Sequence, residues 1–263
     1  MALEPGWCVV LGASSGFGAA AARAFARAGL DVAGVHLDRR ATLPLAEGVA
    51  KDVEAAGRRA RFFNVNAADA EQCRSVVAEL SRLTAGGPRV RVLLHSLAFG
   101  ALRPLVAEPG TEAATEAQLA MTLRVMATSL VDWTQALAAA ELLERGARIF
   151  AMTSEGGQRA WPSYGPVAIA KAALEAAVRQ LALELAPREI TANAICAGVT
   201  DTPASRKIPG YAKLLEMARA RNPHGRLTVP EDVAGALVAL AEPGCSWLTG
   251  NLIRVDGGEG ITG

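Results

Sequence analysis

Seven apolar runs recur along the chain, separated by amphipathic, mostly alanine-rich stretches. This alternation limits the fold more than any other feature. The runs are WCVVLG (7–12), DVAGVHL (31–37), RARFFNV (59–65), VRVLLHS (90–96), ARIFAMTS (147–154), ITANAIC (190–196) and NLIRV (251–255). Several lack polar alternation, the pattern of parallel strands covered on both faces. Between them, 16–28, 44–56, 68–84, 116–140, 166–186 and 230–241 carry helical periodicity. Local signals agree. Gly29 and Gly57 stand just past two of these helices, where glycine takes the left-handed conformation most easily. Thr115 and Gln118 have the spacing of a capping box, and Pro166 and Pro230 occupy first-turn positions. Repeated strand–helix alternation predicts an α/β, doubly wound, seven-stranded parallel sheet. No linker or internal repeat divides the 263 residues, so a single domain over 1–263 is expected.

Composition narrows the classes of function. Hydrophobic residues make up 51% of the chain and aromatics only 5%, which suits an Ala/Val/Leu core. A net charge of +1 supplies no global field for nucleic acid or a membrane surface. No apolar stretch approaches the ~18 residues of a membrane span. Cys8, Cys73, Cys196 and Cys245 show neither zinc-ligand spacing nor a disulfide framework, so no metal and a reducing, cytoplasmic setting are expected. The opening MALEPGWCVVLG lacks a basic segment and reads as the approach to a strand rather than a signal peptide.

The stretch VVLGASSGFGAAAARAFARAG follows the first strand and opens the first helix. Gly12 permits a tight turn, Gly16 lets backbone approach a pyrophosphate, and Gly18 lets helix pack on strand. With Ser14, Ser15 and Phe17 they form a loop that presents a helix N-terminus to phosphates, as in Rossmann-type dinucleotide sites. The lysine of a P-loop is missing, which disfavours phosphoryl transfer. Asp38, about 20 positions past Gly18, has the spacing of a ribose-binding acid. Arg39 and Arg40 follow it and would suit a 2′-phosphate. The alternative for all three is a set of solvated loop charges. The balance leans to NADP(H), with NAD(H) the alternative.

Residues 203–226, PASRKIPGYAKLLEMARARNPHGR, interrupt the alternation after the sixth strand. Ligands of open α/β sheets bind beyond the carboxyl ends of the strands, so a helical substrate lid is expected there.

Five stretches in order now carry a resemblance: GASSGFG (12–18), NVNAAD (64–69), SYGPVAIAK (163–171), NAICAGVTDTP (193–203) and LTGNLIRVDGG (248–258). Together they resemble the short-chain dehydrogenase/reductase family over nearly the whole chain. The resemblance implies a Rossmann sheet and a homotetramer built through helices 116–140 and 166–186. It implies Tyr164, Lys171 and Ser154 as catalytic, with Lys171 also holding the nicotinamide ribose. It further implies cofactor contacts at Asn66 (adenine), at Ser96 and the Leu97–Ala98 backbone, and at Gly198, Val199 and Thr202.

Departures from the common family pattern sharpen this. The usual Tyr-x3-Lys is replaced by Tyr164-x6-Lys171, because position 167 is Val. HSLAFG (95–100) stands where Asn-Asn-Ala-Gly is usual, and Met126 aligns with the helix Asn. Both the spacing and HSLAFG resemble the divergent branch of bacterial enoyl-acyl-carrier-protein reductases. The implied function is NAD(P)H-dependent reduction of the C=C of an enoyl thioester in fatty acid biosynthesis. The alternative is a 3-oxoacyl or other carbonyl reductase of the same family. A non-catalytic dinucleotide sensor is a third possibility, but it has no use for both Tyr164 and Lys171. On the lid, Arg206, Lys207, Lys213, Arg219, Arg221 and Arg226 face only Glu216, a basic rim suited to an acidic acyl-carrier protein or a CoA phosphate.

The spacing poses a geometric problem. Seven helical steps return to nearly the same face but ~10 Å further along. The Gly165–Pro166 break predicts that Tyr164 lies ahead of the helix while Lys171 lies inside it, so that both heads converge. The lysine charge is expected to favour ionisation of the phenol. Glu155 is expected as a solvent-facing loop carboxylate, and His95 as a packed residue rather than a base.

Overall fold

Every residue of β1 (Trp7–Leu11) is buried, as a strand paired on both edges and covered on both faces must be. The computed structural model describes residues 3–262; Met1, Ala2 and Gly263, part of the expected 1–263 domain, lie outside that range. The other strands are β2 (Asp31–His36), β3 (Ala60–Asn64), β4 (Val90–His95), β5 (Leu143–Ser154), β6 (Thr191–Ala197) and β7 (Leu252–Val255). They form one seven-stranded sheet in the order β3-β2-β1-β4-β5-β6-β7. All pairings are parallel. This is the expected Rossmann-type single domain. Strand order reverses between β1 and β4, and the crevice opens there, beyond the carboxyl ends.

The helices are α1 (Gly16–Arg27), α2 (Leu43–Ala55), α3 (Ala70–Leu83), α4 (Glu116–Leu123), α5 (Ser129–Ala139), α6 (Gly165–Leu185), α7 (Tyr211–Arg221) and α8 (Pro230–Leu240). They cover both faces of the sheet. On one, Leu130, Trp133, Leu174 and Val178 share a core with Val9, Leu93 and Ile149. On the other, Phe25, Val233 and Leu237 share a core with Val10, Leu94, Phe150 and Ile195. Thr115 and Gln118 make the predicted capping box, and Gly29 and Gly57 take positive φ.

Two features were not foreseen. The helix read over 116–140 is two α-helices joined by a π-helical turn, Arg124–Thr128, with Met126 buried inside it. The inserted residue leaves the apolar periodicity nearly intact, so the pattern alone does not reveal it. The fifth strand also starts earlier than 147, at Leu143, where an irregular register against β4 lets the chain pair again beyond Arg148.

Glycine is demanded where α1 leaves β1. A Cβ on Gly18 would overlap the carbonyl oxygen of Gly12, and Gly12 itself has φ +91°. Gly18→Ala is therefore expected to destabilise the protein by about 1–3 kcal/mol, read as a lower urea midpoint at unchanged m-value.

Candidate active site

The site lies where β1, β4, β5 and β6 end. Gly12 packs against Ser96, whose carbonyl oxygen would sit 2.5 Å from a Cβ at position 12. Ser96 donates its N–H to the Leu11 carbonyl, so the ends of β1 and β4 are tied together. Gly16, at φ +54°, faces the Thr202 methyl. The glycine loop therefore meets the 96–98 and 198–202 segments in one crevice. Thr202 is buried, and Ser205 bonds both its N–H and its hydroxyl. The cradle is bare backbone that Cβ atoms would fill, which fits a pyrophosphate at the start of α1.

Two predicted contacts have partners within the protein. The Val199 N–H donates to Glu259 at 3.0 Å. The Asn66 side chain accepts from the Ala68 N–H, closing a turn at the end of β3. Ala98 is exposed and Leu97 half-buried. A Cβ on Gly198 would strike the Thr228 hydroxyl.

Asp38 lies two residues beyond β2 but is not solvated. His36 Nδ1 lies 2.9 Å from its carboxylate, and its N–H donates to the Asn64 side chain. Burial raises the Asp38 carboxyl, but hydrogen bonds involving Thr42, Ser14 and His36 outweigh this and hold it below the ordinary carboxylate value. Arg39 and Arg40 are exposed.

Tyr164 lies ahead of the helix, as the Gly165–Pro166 break predicts. It caps α6, with its N–H bonded to the Trp161 carbonyl and its carbonyl accepting from Ala168. Ser163 before it takes φ +61°, a costly conformation for a residue with a side chain. The ring lies on Gly156, where a Cβ would overlap it. Its hydroxyl is 3.3 Å from Ser154 Oγ at the end of β5. Burial raises the phenol pKa, the Ser154 hydrogen bond opposes this in part, and Cys196 adds to the rise. The expected ionisation by Lys171 is absent. The Lys171 ammonium instead donates to the Met152 carbonyl at 2.6 Å, deep in the protein. Burial lowers its pKa to about 8.

His95 is a packed residue, as expected. It is fully buried with Nε2 2.8 Å from Ser129 Oγ. Burial first, then the Lys171 charge, lowers its pKa to about 3.

Glu155 corrects the expectation. It is not solvent-facing but held between Arg159 at 3.6 Å, Arg221 at 3.6 Å and Arg254 at 3.5 Å. Arg221 also pairs with buried Glu259 at 3.3 Å. This hub joins the loop after Ser154 to the end of α7 and to the chain after β7. Of the six basic residues in 203–226, three are neutralised: Arg206 by Asp201, Arg221 as above, and Arg226 by Asp232. Sequence reasoning missed the hub because its members lie far apart in the chain. It also missed Thr153, Glu175 and Cys196 beside the Tyr–Lys pair; only the i,i+4 spacing of Lys171 and Glu175 was legible. Among the described residues, no group of His, Cys, Asp and Glu is placed to hold a metal, and no helix is long and apolar enough to cross a membrane. A cleft of about 380 Å³ near Thr84, Arg89 and Leu142 lies at the opposite, amino ends of the strands.

A family model described as enoyl-(acyl carrier protein) reductase matches residues 12–259. The chain belongs to this family of short-chain dehydrogenases/reductases. It is 34% identical over 175 residues to the enoyl-acyl-carrier-protein reductase (NADH) FabI of Nostoc sp., covering 66% of each chain. It is 28% identical over 258 residues to the 3-oxoacyl-acyl-carrier-protein reductase FabG of Thermotoga maritima, covering 98% of this chain and 99% of that one. The crystal structure of enoyl-acyl-carrier-protein reductase (NADH) from Aquifex aeolicus shares the fold, with a TM-score of 0.84 at 24% identity over 100% of this chain and 98% of that one.

Arg221→Ala leaves Glu259 buried without its cation. A loss of about 1–3 kcal/mol is expected at neutral pH by urea denaturation. Burial already raises the Glu259 carboxyl above its unfolded value, so its folded form is favoured when protonated. The deficit of the variant should therefore shrink as pH falls through that raised pKa.

Proposed function

We propose that the protein is an NAD(P)H-dependent oxidoreductase that reduces the C=C of an enoyl thioester. The observation that carries this is the Tyr164 phenol, held outside α6 by Gly156 and Ser154 while Lys171 lies seven residues further along, inside the helix. The dinucleotide, when bound, supplies the hydride. Gly12, Ser14, Ser15, Gly16, Phe17 and Gly18 hold its phosphates, with Ser96, Leu97, Ala98, Gly198 and Thr202 around the rest. Lys171 spends one of its three donors on Met152 and has two for ribose hydroxyls. Hydride addition at Cβ gathers negative charge on the thioester oxygen, and a proton taken from solvent at Cα then completes the reduction. Tyr164 donates its O–H to that oxygen, in reach of Ser154. A phenol kept protonated by burial is suited to donating.

In this reading the 203–226 segment is the lid. The Trp161 indole donates to the Pro209 carbonyl at its front, and Arg221 fixes its rear to Glu155. Lys207, Lys213 and Arg219 make no ion pair among the described residues and remain for an acyl-carrier protein or CoA phosphate. The assembly is a homotetramer through the α4–α5 segment (116–140) and α6, the latter leaving Ile169 and Leu183 exposed. Carbonyl reduction is the second reading, favoured by the same Ser154–Tyr164 contact, since the phenol is also placed to protonate an alkoxide.

Purified protein given reduced cofactor is expected to oxidise it with crotonyl-CoA. Turnover of acetoacetyl-CoA alone would replace the first reading by the second, and binding without turnover of either would favour a sensor. Tyr164→Phe is expected to lower kcat by ~10²-fold or more; an unchanged kcat rejects the phenol as donor.

For the cofactor, Asp38 outweighs Arg39 and Arg40. A carboxylate held just beyond β2 by His36 accepts from ribose hydroxyls and repels a 2′-phosphate. We infer a preference for NADH, as in the name of the Nostoc relative. NADPH should show the higher KM, and Asp38→Ser should narrow the gap. A lower KM for NADPH in the unmodified protein rejects the assignment.

A further inference from the structure

Lys171 carries a charge deep in the protein, and the groups around it set where that charge comes from. From β4, His95 faces it but is neutral, its pKa lowered to about 3. From β6, Cys196 faces it, but burial pushes that thiol up to about 12, so it too is neutral where a lysine near 8 titrates. Tyr164, ahead of α6, faces Cys196 and is itself raised by burial. Only Glu175 remains. It lies on α6 one turn beyond Lys171, buried, with its carboxylate accepting from Thr153 Oγ1 at 2.6 Å. Thr153 directly follows Met152, whose carbonyl takes the ammonium. The two side chains are therefore seated on adjacent residues of β5. Gly157 closes over them: a Cβ there would sit 2.9 Å from Glu175 Oε1 and 3.2 Å from Lys171 Cβ. No ion pair within 4 Å joins the two buried side chains, so Glu175 acts on Lys171 through space rather than by contact.

We propose that Glu175 is a positioning residue of the site: its buried carboxylate, pinned by Thr153, is the counter-charge that keeps Lys171 an ammonium seated on the Met152 carbonyl. Removing the counter-charge leaves burial unopposed, and the lysine loses its proton at lower pH. The proposal rests on the reading that Lys171 holds the cofactor ribose only for its consequence, not for its direct test.

That test uses the protein without cofactor. The chain has four lysines, and Lys51, Lys207 and Lys213 are exposed, so their side-chain carbon resonances serve as internal controls. Lys171 is assigned by its loss in Lys171→Arg. In Glu175→Gln, which keeps the shape and an oxygen for Thr153, the Lys171 midpoint is expected to fall by about one unit or more while the other three stay. In Glu175→Asp, which keeps the charge, it is expected to stay nearer the unmodified value. An unmoved midpoint in Glu175→Gln overturns the proposal. So does a fall in Glu175→Asp as large as in Glu175→Gln, which would mark a role of shape alone. Should the Gln variant be too unstable to titrate, the Asp variant decides, an unmoved midpoint supporting the proposal and a fall of about one unit overturning it. NADH affinity against pH is the second arm. Affinity should weaken as pH rises through the Lys171 midpoint, and Glu175→Gln should move that limb down with it. A moved lysine midpoint with an unmoved affinity limb supports the role of Glu175 and rejects Lys171 as the ribose holder.

Discussion

The contact between Gly18 and the Gly12 carbonyl leaves no room for a methyl group, and the geometry of the whole crevice follows from it. It fixes how closely α1 returns over β1, and so where the free N–H groups at the start of α1 point. The same Gly12 touches Ser96 at the end of β4, and Gly16 touches Thr202 beyond β6. Three segments far apart in sequence are thus gathered around one short turn. A side chain at any of these contacts would separate the strand ends from the start of α1, so this part of the candidate site depends on the absence of atoms as much as on functional groups.

Charge burial is the second constraint. Two separate solutions stand side by side at the end of β5. Behind Ser154, Lys171 and Glu175 are both enclosed, each tied to a neighbouring residue of the strand. After Ser154, Glu155 and Glu259 meet Arg221 and Arg254 in a hub that retains some solvent contact. Desolvation strengthens the coupling inside the first pair and makes it sensitive to either partner. The second spreads its charges over several arginines, so that no single pair dominates. The segment from Ser154 to Tyr164 runs between these two clusters. Gly156 and Gly157 let it do so, one against the Tyr164 ring and the other against Glu175.

Most of the fold was legible because apolar periodicity and caps are local properties. Apart from the early start of β5 and the splitting of 116–140 into α4 and α5, the strands and helices lie within about two residues of where the sequence places them, and the Gly165–Pro166 break correctly puts Tyr164 ahead of α6. The π turn around Met126 was not legible, since one extra residue hardly disturbs a buried face. Glu155 was misjudged for a different reason. A carboxylate in a Gly-rich turn looks solvated until arginines 66 and 99 residues further along the chain are known to reach it. The supposed effect of Lys171 on the phenol failed in the same way. Spacing predicts that the two heads approach, but not that a strand carbonyl claims the ammonium first.

That failure bears on the chemistry. A phenol lowered toward ionisation would suit proton abstraction from an alcohol, whereas burial here keeps Tyr164 protonated. A protonated phenol beside a serine hydroxyl would, in the proposed reaction, serve as a preorganised donor pair for an oxygen that becomes more negative as reaction proceeds. Such a pair gives most when charge accumulates on the oxygen before any proton arrives, as it does when hydride adds to the far end of a conjugated C=C. Carbonyl reduction also benefits, but there the proton must finally leave the phenol, and burial makes the resulting anion costly unless Lys171 stands close by. With the ammonium seated on Met152 instead, the static arrangement suits donation without transfer better than full proton release.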